Sequence, residues 1–355
     1  MITLPQLLKF AVDQGASDLH LVAGVPPALR INGRVVRIKA EMLNKETTRK
    51  LCYSVINDLQ KARLEENREL DFSFDVRNVA RFRANLFFQK GAVSGAFRMI
   101  PKRIPKLSDL HLPAAVGDFT LLPFGLFLVT GPTGSGKTTT IASLVDKINN
   151  ERKGHIVTLE DPIEFIHMHK NCIVNQREIG IDTCGFKSAL KYLLRQDPDV
   201  CVIGELRDLE TVEAALTLAE TGHLVLATLH TNTSASTINR LLGMYPSDQQ
   251  DRVRGMLSLS LQAILSQKLL PSVQGGRLLA AEFLSLTTAV RNLIRENKIH
   301  QIPGLMQIGQ DKTGMITMNQ SLFNLLLKRR IDVKSAFLAS PDPEELDRLM
   351  KKAGV

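Results

Sequence analysis

Residues Gly131 to Thr138 read Gly-Pro-Thr-Gly-Ser-Gly-Lys-Thr, and no other stretch narrows so far what this chain can fold into. The order is GxxxxGK[ST]. Gly131, Gly134 and Gly136 let the backbone turn so that successive N–H groups face inward onto a phosphate chain, and the helix opening near Lys137 aims its positive end at the same point. In such a cradle Lys137 reaches the β- and γ-phosphates and the Thr138 hydroxyl ligates Mg²⁺. Thr133, Ser135 and Thr139 fall inside the same turn and first helical residues. The required context is present: Gly125 to Thr130 is a short apolar run suited to a buried strand, and Thr139 to Val145 continues as a helix with an apolar face.

A chain of 355 residues is long for one domain and suits two. At the amino end, Leu7, Leu8, Ala11 and Val12 have helical spacing, and Gly15 stands where a closing glycine belongs. Strands are expected at Asp18 to Val22, Ala28 to Ile31 and Arg34 to Ile38, the last two joined by Asn32-Gly33, a strong hairpin signal. Lys45 to Glu69 reads as one charged, solvated helical stretch. A second hairpin turns at Lys90-Gly91 between Ala80 to Phe88 and Ala92 to Met99. With period 2, Phe82, Ala84, Leu86 and Phe88 share one face, while Arg81, Arg83 and Asn85 share the other. Spacing alone favours a solvated edge; the alternative is that these arginines contact phosphate oxygens, in a neighbouring subunit, as charge-stabilising fingers. Ile100 to Lys106 carries two prolines and three cations without periodicity and reads as a linker.

From Leu121 onward apolar strands alternate with helical segments, the pattern of a parallel sheet covered by helices in a RecA-like α/β core. Ligands of such sheets sit beyond the carboxyl ends of the strands, and three polar motifs fall there. The first, Thr158 to Glu164, holds Glu160, Asp161 and Glu164, acids able to hold Mg²⁺ through water or to orient an attacking water; Asp161 equally suits a helix cap. In the second, Asp197 to Asp208, a hydrophobic strand ends in an acid as in a Walker B element. Gly204 occupies the usual aspartate position, which leaves Glu205 to act on the water and the metal. The third, Thr221 to Thr231, places His223 and His230 at the two ends of a strand, with His230 the sharper candidate for sensing a γ-phosphate.

Taken in this order and spacing, GPTGSGKT, VTLEDPIEF, DPDVCVIGELRD and TGHLVLATLHT resemble the secretion ATPase superfamily, with the second as its Asp box and the fourth as its His box. From GASDLHL near the start to Ala289-Val290-Arg291-Asn292-Leu293-Ile294-Arg295-Glu296, the chain most resembles the type IV pilus retraction (twitching motility) ATPases, the PilT-like family, marked by an AIRNLIRE stretch in which Val290 here replaces isoleucine. Pilus-assembly relatives carry a four-cysteine zinc element. Cys52, Cys172, Cys184 and Cys201 are scattered, with no CxxC pair, and read as reduced cytosolic thiols.

The resemblance implies a cytoplasmic homohexameric motor that hydrolyses ATP with Mg²⁺ at subunit interfaces, peripheral at the inner-membrane base of the pilus, and drives pilus retraction through the platform protein there. It implies a PAS-like α+β domain over residues 1–99, a linker over 100–106 and a RecA-like ATPase domain with a helical C-terminal part over 107–355. It also implies that Arg81, Arg83 and Arg98 reach nucleotide phosphates. Contact with the membrane is expected only through a partner, because the longest apolar stretch, Leu121 to Thr130, is interrupted by Pro123.

Beyond residue 246 the pattern reads as helical at Gln249 to Leu270 and Met318 to Arg330, interrupted by a hairpin arm over Gly275 to Glu282. Arg291 and Arg295, four apart, suit a docking surface or plain solvation. A RecA-like DNA translocase or helicase, or another secretion ATPase, is the alternative, supported by the core and by a net charge of +9. With no Trp and three Tyr the chain is poor in stacking platforms for strands, and no direct nucleic-acid partner is expected.

Overall fold

The computed structural model describes residues 2–31, 33–100, 103–308 and 313–354. Asn32 of the expected Asn32-Gly33 turn and Pro101-Lys102 of the expected linker lie outside those residues. The chain divides into two compact units, Met1–Arg103 with Pro162–Ile166, and Ile104–Asp161 with His167–Val355.

The first unit opens with α1 (Leu4–Asp13), where Gln6 Oε1 accepts from the Thr3 N–H at 2.9 Å and Pro5 sits in the first turn. It continues through β1 (Asp18–Leu21), β2 (Ala28–Ile31), β3 (Arg34–Arg37), α2 (Lys45–Tyr53), α3 (Asp58–Asn67), β4 (Glu69–Val76), β5 (Ala80–Gln89) and β6 (Ala92–Ile100). The strands form an antiparallel sheet in the order β3-β2-β1-β6-β5-β4. Its core gathers Phe72, Phe82 and Phe97 with Leu4, Leu8 and Leu64. The charged stretch expected as one helix is two, because Asn57 caps α3: its side chain accepts from the Gln60 N–H at 2.9 Å and Gln60 returns a bond at 3.1 Å. The strand β4, which follows directly, was not foreseen.

The second unit begins with short 3-10 turns at Leu107–Leu110 and Ala114–Leu121. Then follow β7 (Gly125–Thr130), α4 (Lys137–Glu151), β8 (His155–Glu160), β9 (Ile173–Glu178), α5 (Phe186–Leu193), β10 (Val200–Ile203), α6 (Leu209–Glu220), β11 (Leu224–Leu229), α7 (Ser234–Leu242), α8 (Gln250–Ser260), β12 (Leu261–Pro271), β13 (Arg277–Ser285), α9 (Thr288–Arg295) and α10 (Ile302–Met306). Three further helices, α11 (Met318–Leu327), α12 (Val333–Ala339) and α13 (Pro343–Lys352), close the chain. The sheet runs β13-β12-β7-β11-β10-β8-β9, parallel throughout except at β13. Strands β7, β10 and β11 are buried along their whole length, as continuous apolar runs covered on both faces must be. Ile141, Leu144 and Ile148 of α4 pack on one face, and apolar residues of α5 to α10 pack on the other. Helices α11 to α13 form a smaller cluster with Leu270 of β12 and Ala280 of β13. The mixed α/β fold with a parallel core sheet is as expected.

One helix expectation in this unit is corrected. The helix expected over Gln249 to Leu270 ends at Ser260, and the rest is β12. The Ala263-Ile264-Leu265 run is buried on both faces, a pattern whose helix and strand readings periodicity does not separate. The hairpin expected over Gly275 to Glu282 is present: β13 pairs with β12 from Arg277 to Ser285 as the antiparallel edge of the main sheet. No helix among the described residues is long and apolar enough to cross a membrane.

Candidate active site

At the carboxyl end of β7 the backbone enters the glycine-rich loop with Gly131 at φ 142°, Gly134 at 78° and Gly136 at 93°. A Cβ at Gly131 would stand 2.4 Å from the Gln267 carbonyl oxygen and 2.6 Å from Ser135 Oγ, so the first position tolerates only glycine on space as well as on φ. At Gly134 nothing lies within 4 Å, and φ alone is at issue. Gly131→Ala is therefore expected to weaken ATP binding by at least tenfold and to lower the melting temperature, while Gly134→Ala costs only left-handed strain of about 1–2 kcal/mol. Nucleotide titration and thermal melts of both variants check this; equal effects would mean that the clash at Gly131 relaxes.

Helix α4 begins at Lys137, and Thr138 lies exposed on its first turn. Lys137 Nζ donates to the carbonyls of Gly131 at 2.7 Å and Pro132 at 3.1 Å, and approaches His230 Nδ1 at 3.4 Å. Burial pulls its pKa below the usual lysine range, and the Glu205 charge opposes that pull. A half-desolvated ammonium leaning on its own loop carbonyls is a cation suited to exchange them for phosphate oxygens.

Glu205 lies two residues beyond the end of β10. Its Oε1 lies 3.2 Å from His230 Nε2, and its Oε2 accepts from Arg207 Nε at 2.8 Å. Lysine can only donate, so His230 Nδ1 accepts and Nε2 carries the proton offered to Glu205. Arg207 Nη1 continues the chain to Asp161 Oδ2 at 3.8 Å. Lys137, His230, Glu205, Arg207 and Asp161 thus form one polar row across the carboxyl ends of four parallel strands. The glycine in the usual aspartate position has a cause: a Cβ at Gly204 would meet the Leu159 carbonyl oxygen at 3.1 Å, and Thr228 Oγ1 donates to the Gly204 carbonyl at 2.5 Å. Asp208 then caps α6, accepting from the Thr211 N–H at 2.9 Å, which fixes where the Glu205 loop ends.

The other expected residues divide. Glu160 lies at the correct end of the sheet but its Oε1 faces β9, accepting from Thr158 Oγ1 at 2.6 Å and Gln176 Nε2 at 3.0 Å. His223 is a correction. It precedes β11 at the amino end of the sheet, seven residues and roughly 20 Å of strand from His230, and its Nδ1 lies 3.0 Å from the Leu218 carbonyl at the end of α6. In a parallel sheet the two ends of one strand cannot serve the same pocket.

In the first unit, register places Arg30, Asp18, Arg98, Arg83 and Ser73 on one rung through five strands. Arg98 donates to Asp18 at 2.9 Å, and burial of that carboxyl is outweighed by its Ser17 and Arg98 bonds, so its pKa falls below the usual range. Arg83 meets Glu164 at 3.4 Å. Arg81 bonds Asp75 at 2.7 Å, Ser73 Oγ at 2.6 Å and the Ile163 carbonyl at 3.3 Å. The arginines share the polar face of the sheet, as period 2 requires, and each is held by oxygen acceptors.

Residues 2–319 match the family described as type II/IV secretion system protein. The chain belongs to that family. Among secretion system relatives it is 46% identical over 341 residues to the type IV pilus retractation ATPase PilT of Pseudomonas aeruginosa, covering 96% of this chain and 99% of that protein. It is 43% identical to a twitching motility protein of Neisseria gonorrhoeae, covering 96% and 91%. A crystal structure of the pilus retraction motor PilT with bound ADP superposes with a TM-score of 0.92 at 51% identity, covering 98% of this chain and all of that one. The expected resemblance to retraction ATPases stands, and with it an ATPase of the secretion family.

Two contributors escaped the sequence reading. Arg207 lies two residues past Glu205 in a motif whose acids drew attention, and the GELRD order could have marked it as their counter-ion. Gln267, on β12, places its carbonyl under Gly131 and donates Nε2 to Thr140 Oγ1 at 2.8 Å. Only the sheet order brings it there.

Proposed function

We propose that this chain is the ATP-hydrolysing subunit of a homohexameric motor that retracts type IV pili by acting on the platform protein of the inner-membrane pilus base, from the cytoplasmic side. What supports the reading is the unbroken row from Lys137 through His230 to Glu205, which ties the phosphate loop to a carboxylate able to take a proton from water. ATP lies with its phosphates against Gly131, Thr133 to Gly136 and Thr139, and Lys137 leaves its loop carbonyls for the β- and γ-oxygens. The Thr138 hydroxyl and Glu205, directly or through water, would hold Mg²⁺, which would supply positive charge beside the phosphates. Among the described residues no group of three or more His, Cys, Asp or Glu could hold a metal, and an ion arriving with a triphosphate needs no such cage.

Glu205 orients the attacking water and accepts its proton, while His230, between Glu205 and Lys137, reads whether the γ-phosphate is present. Glu160 supports this end of the sheet, and Glu164, from the same acidic segment, pairs with Arg83 of the first unit. The PAS-like first unit offers Arg81, Arg83 and Arg98 to a nucleotide at a subunit interface, where phosphate oxygens replace the carboxylates that now hold them. Binding, hydrolysis and release then shift one domain against another, and the ring passes that motion to the platform.

Purified chain is expected to hydrolyse Mg-ATP without stimulation by single- or double-stranded DNA; strong stimulation would favour the translocase. A strain lacking the gene is expected to keep surface pili and lose twitching, with twitching restored when the gene returns. Arg81→Ala with Arg83→Ala should lower kcat at saturating ATP at least tenfold with the far-ultraviolet dichroism unchanged. Unchanged kcat in that double variant would leave both arginines as surface ion pairs.

A further inference from the structure

Glu282 is a carboxylate with 7% of its surface exposed, and nothing in the proposed chemistry uses it. One oxygen accepts from the Ser234 N–H at 2.6 Å, the other from the Met318 N–H at 3.4 Å. These are the first residues of α7 and α11. Two helices thus direct their positive ends at one buried anion, and no residue inside either helix can take its place at those N–H groups. The Lys268 ammonium, whose charge favours the Glu282 carboxylate, donates its hydrogen bond to the Ala339 carbonyl of α12 at 2.6 Å.

The position of Glu282 in the sheet matters as much as its bonds. Register pairs it with Ser266, Ser266 with Thr130, and Thr130 with Leu229. Ser266 Oγ and Thr130 Oγ1 lie 2.8 Å apart. The rung therefore ends on the residues immediately before Gly131 and His230. Around the same point the C-terminal helices are fastened to β13: Phe283 and Ile316 exchange backbone bonds at 2.9 and 3.1 Å, and Ser321 Oγ accepts from the Ala281 N–H at 3.0 Å. On the other side only Thr231, Asn232 and Thr233 separate His230 from α7, and Thr231 Oγ1 is tied back to Thr237 Oγ1 at 2.7 Å.

We propose that Glu282 is a positioning residue through which the C-terminal cluster α11–α13 sets the start of α7, and so the placement of His230 over the phosphate loop. Displacement of α11 withdraws the Met318 N–H, and the carboxylate then loosens from Ser234. Its effect on turnover rests on the proposed role of His230; its effect on α7 does not.

The test is a double-mutant cycle in the full chain between Glu282→Leu and Leu346→Ala, the latter in the core of the C-terminal cluster and remote from the nucleotide. Amide hydrogen exchange is read over residues 231–237, with kcat and ATP affinity beside it. Leu346→Ala alone is expected to speed exchange in that segment at least threefold. Added to Glu282→Leu it should change nothing there. Glu282→Gln, which keeps one acceptor oxygen, should retain more protection and more kcat than Glu282→Leu, with ATP affinity within threefold of wild type. Additive effects, or exchange over 231–237 indifferent to Leu346→Ala, would overturn the proposal; if Glu282→Leu does not fold, the cycle is run with Glu282→Gln, in which Leu346→Ala must speed exchange less than it does in the wild type. A wild-type chain without ATPase activity would instead sink the functional reading and leave the exchange result standing.

Discussion

Glu205→Gln is expected to bind ATP within a few-fold of the wild-type affinity and to lose about 10²–10⁴-fold in kcat, the range for removing a general base. Glutamine keeps the shape of the side chain, and its carbonyl can still accept from either Arg207, 2.8 Å away, or His230, 3.2 Å away. What it lacks is an anion to receive the proton of water. Phosphate release at saturating Mg-ATP, with a separate nucleotide titration, measures the two effects independently. Turnover at the wild-type rate would remove Glu205 from the chemistry. A loss that excess Mg²⁺ repairs would assign it to holding the metal alone.

Lys137→Met should fail one step earlier. Each charged hydrogen bond from the ammonium to a phosphate oxygen stabilises by about 1.5–3 kcal/mol, so losing the group weakens ATP binding by about one to two orders of magnitude. The ammonium also neutralises charge in the transition state, so kcat at forced saturation falls by a further factor of about 10² or more. The fold should survive, because Lys137 is 9% exposed and its burial, which lowers its pKa, marks it as a costly cation in the free protein. The free variant is therefore expected to melt no lower than wild type. A fall in melting temperature with nucleotide affinity intact would make Lys137 a structural clasp for the loop carbonyls.

What could be read from the sequence was what local pattern determines. Gly131 to Thr138 carries its own backbone requirement, the alternation from Arg81 to Phe88 separates an arginine face from a core face, and the runs at β7, β10 and β11 are apolar without interruption. Patterns with two solutions failed. Ala263-Ile264-Leu265 lies inside the sheet, where no polar face marks the period, and it continued a helix on paper. His223 and His230 flank one strand symmetrically in the sequence; only the direction of a parallel sheet separates the pocket end from the other. Arg207 and Glu282 act through partners up to 48 residues away, and no local period reports such pairs.

The AVRNLIRE segment becomes α9, and its first arginine does not point outward. Arg291 donates to the carbonyls of Ser258 at 2.6 Å, Leu259 at 3.1 Å and Leu286 at 3.1 Å, and to Gln262 Oε1 at 2.8 Å. It closes the end of α8 where that helix turns into β12. Asn292, Arg295 and Glu296 remain exposed. The segment therefore has two sides with separate vocabularies: an inner side whose alteration loosens the frame, and an outer side whose alteration changes only what a partner meets. Loss of function after changing Arg291 would report on a joint, and loss after changing Arg295 on a handle.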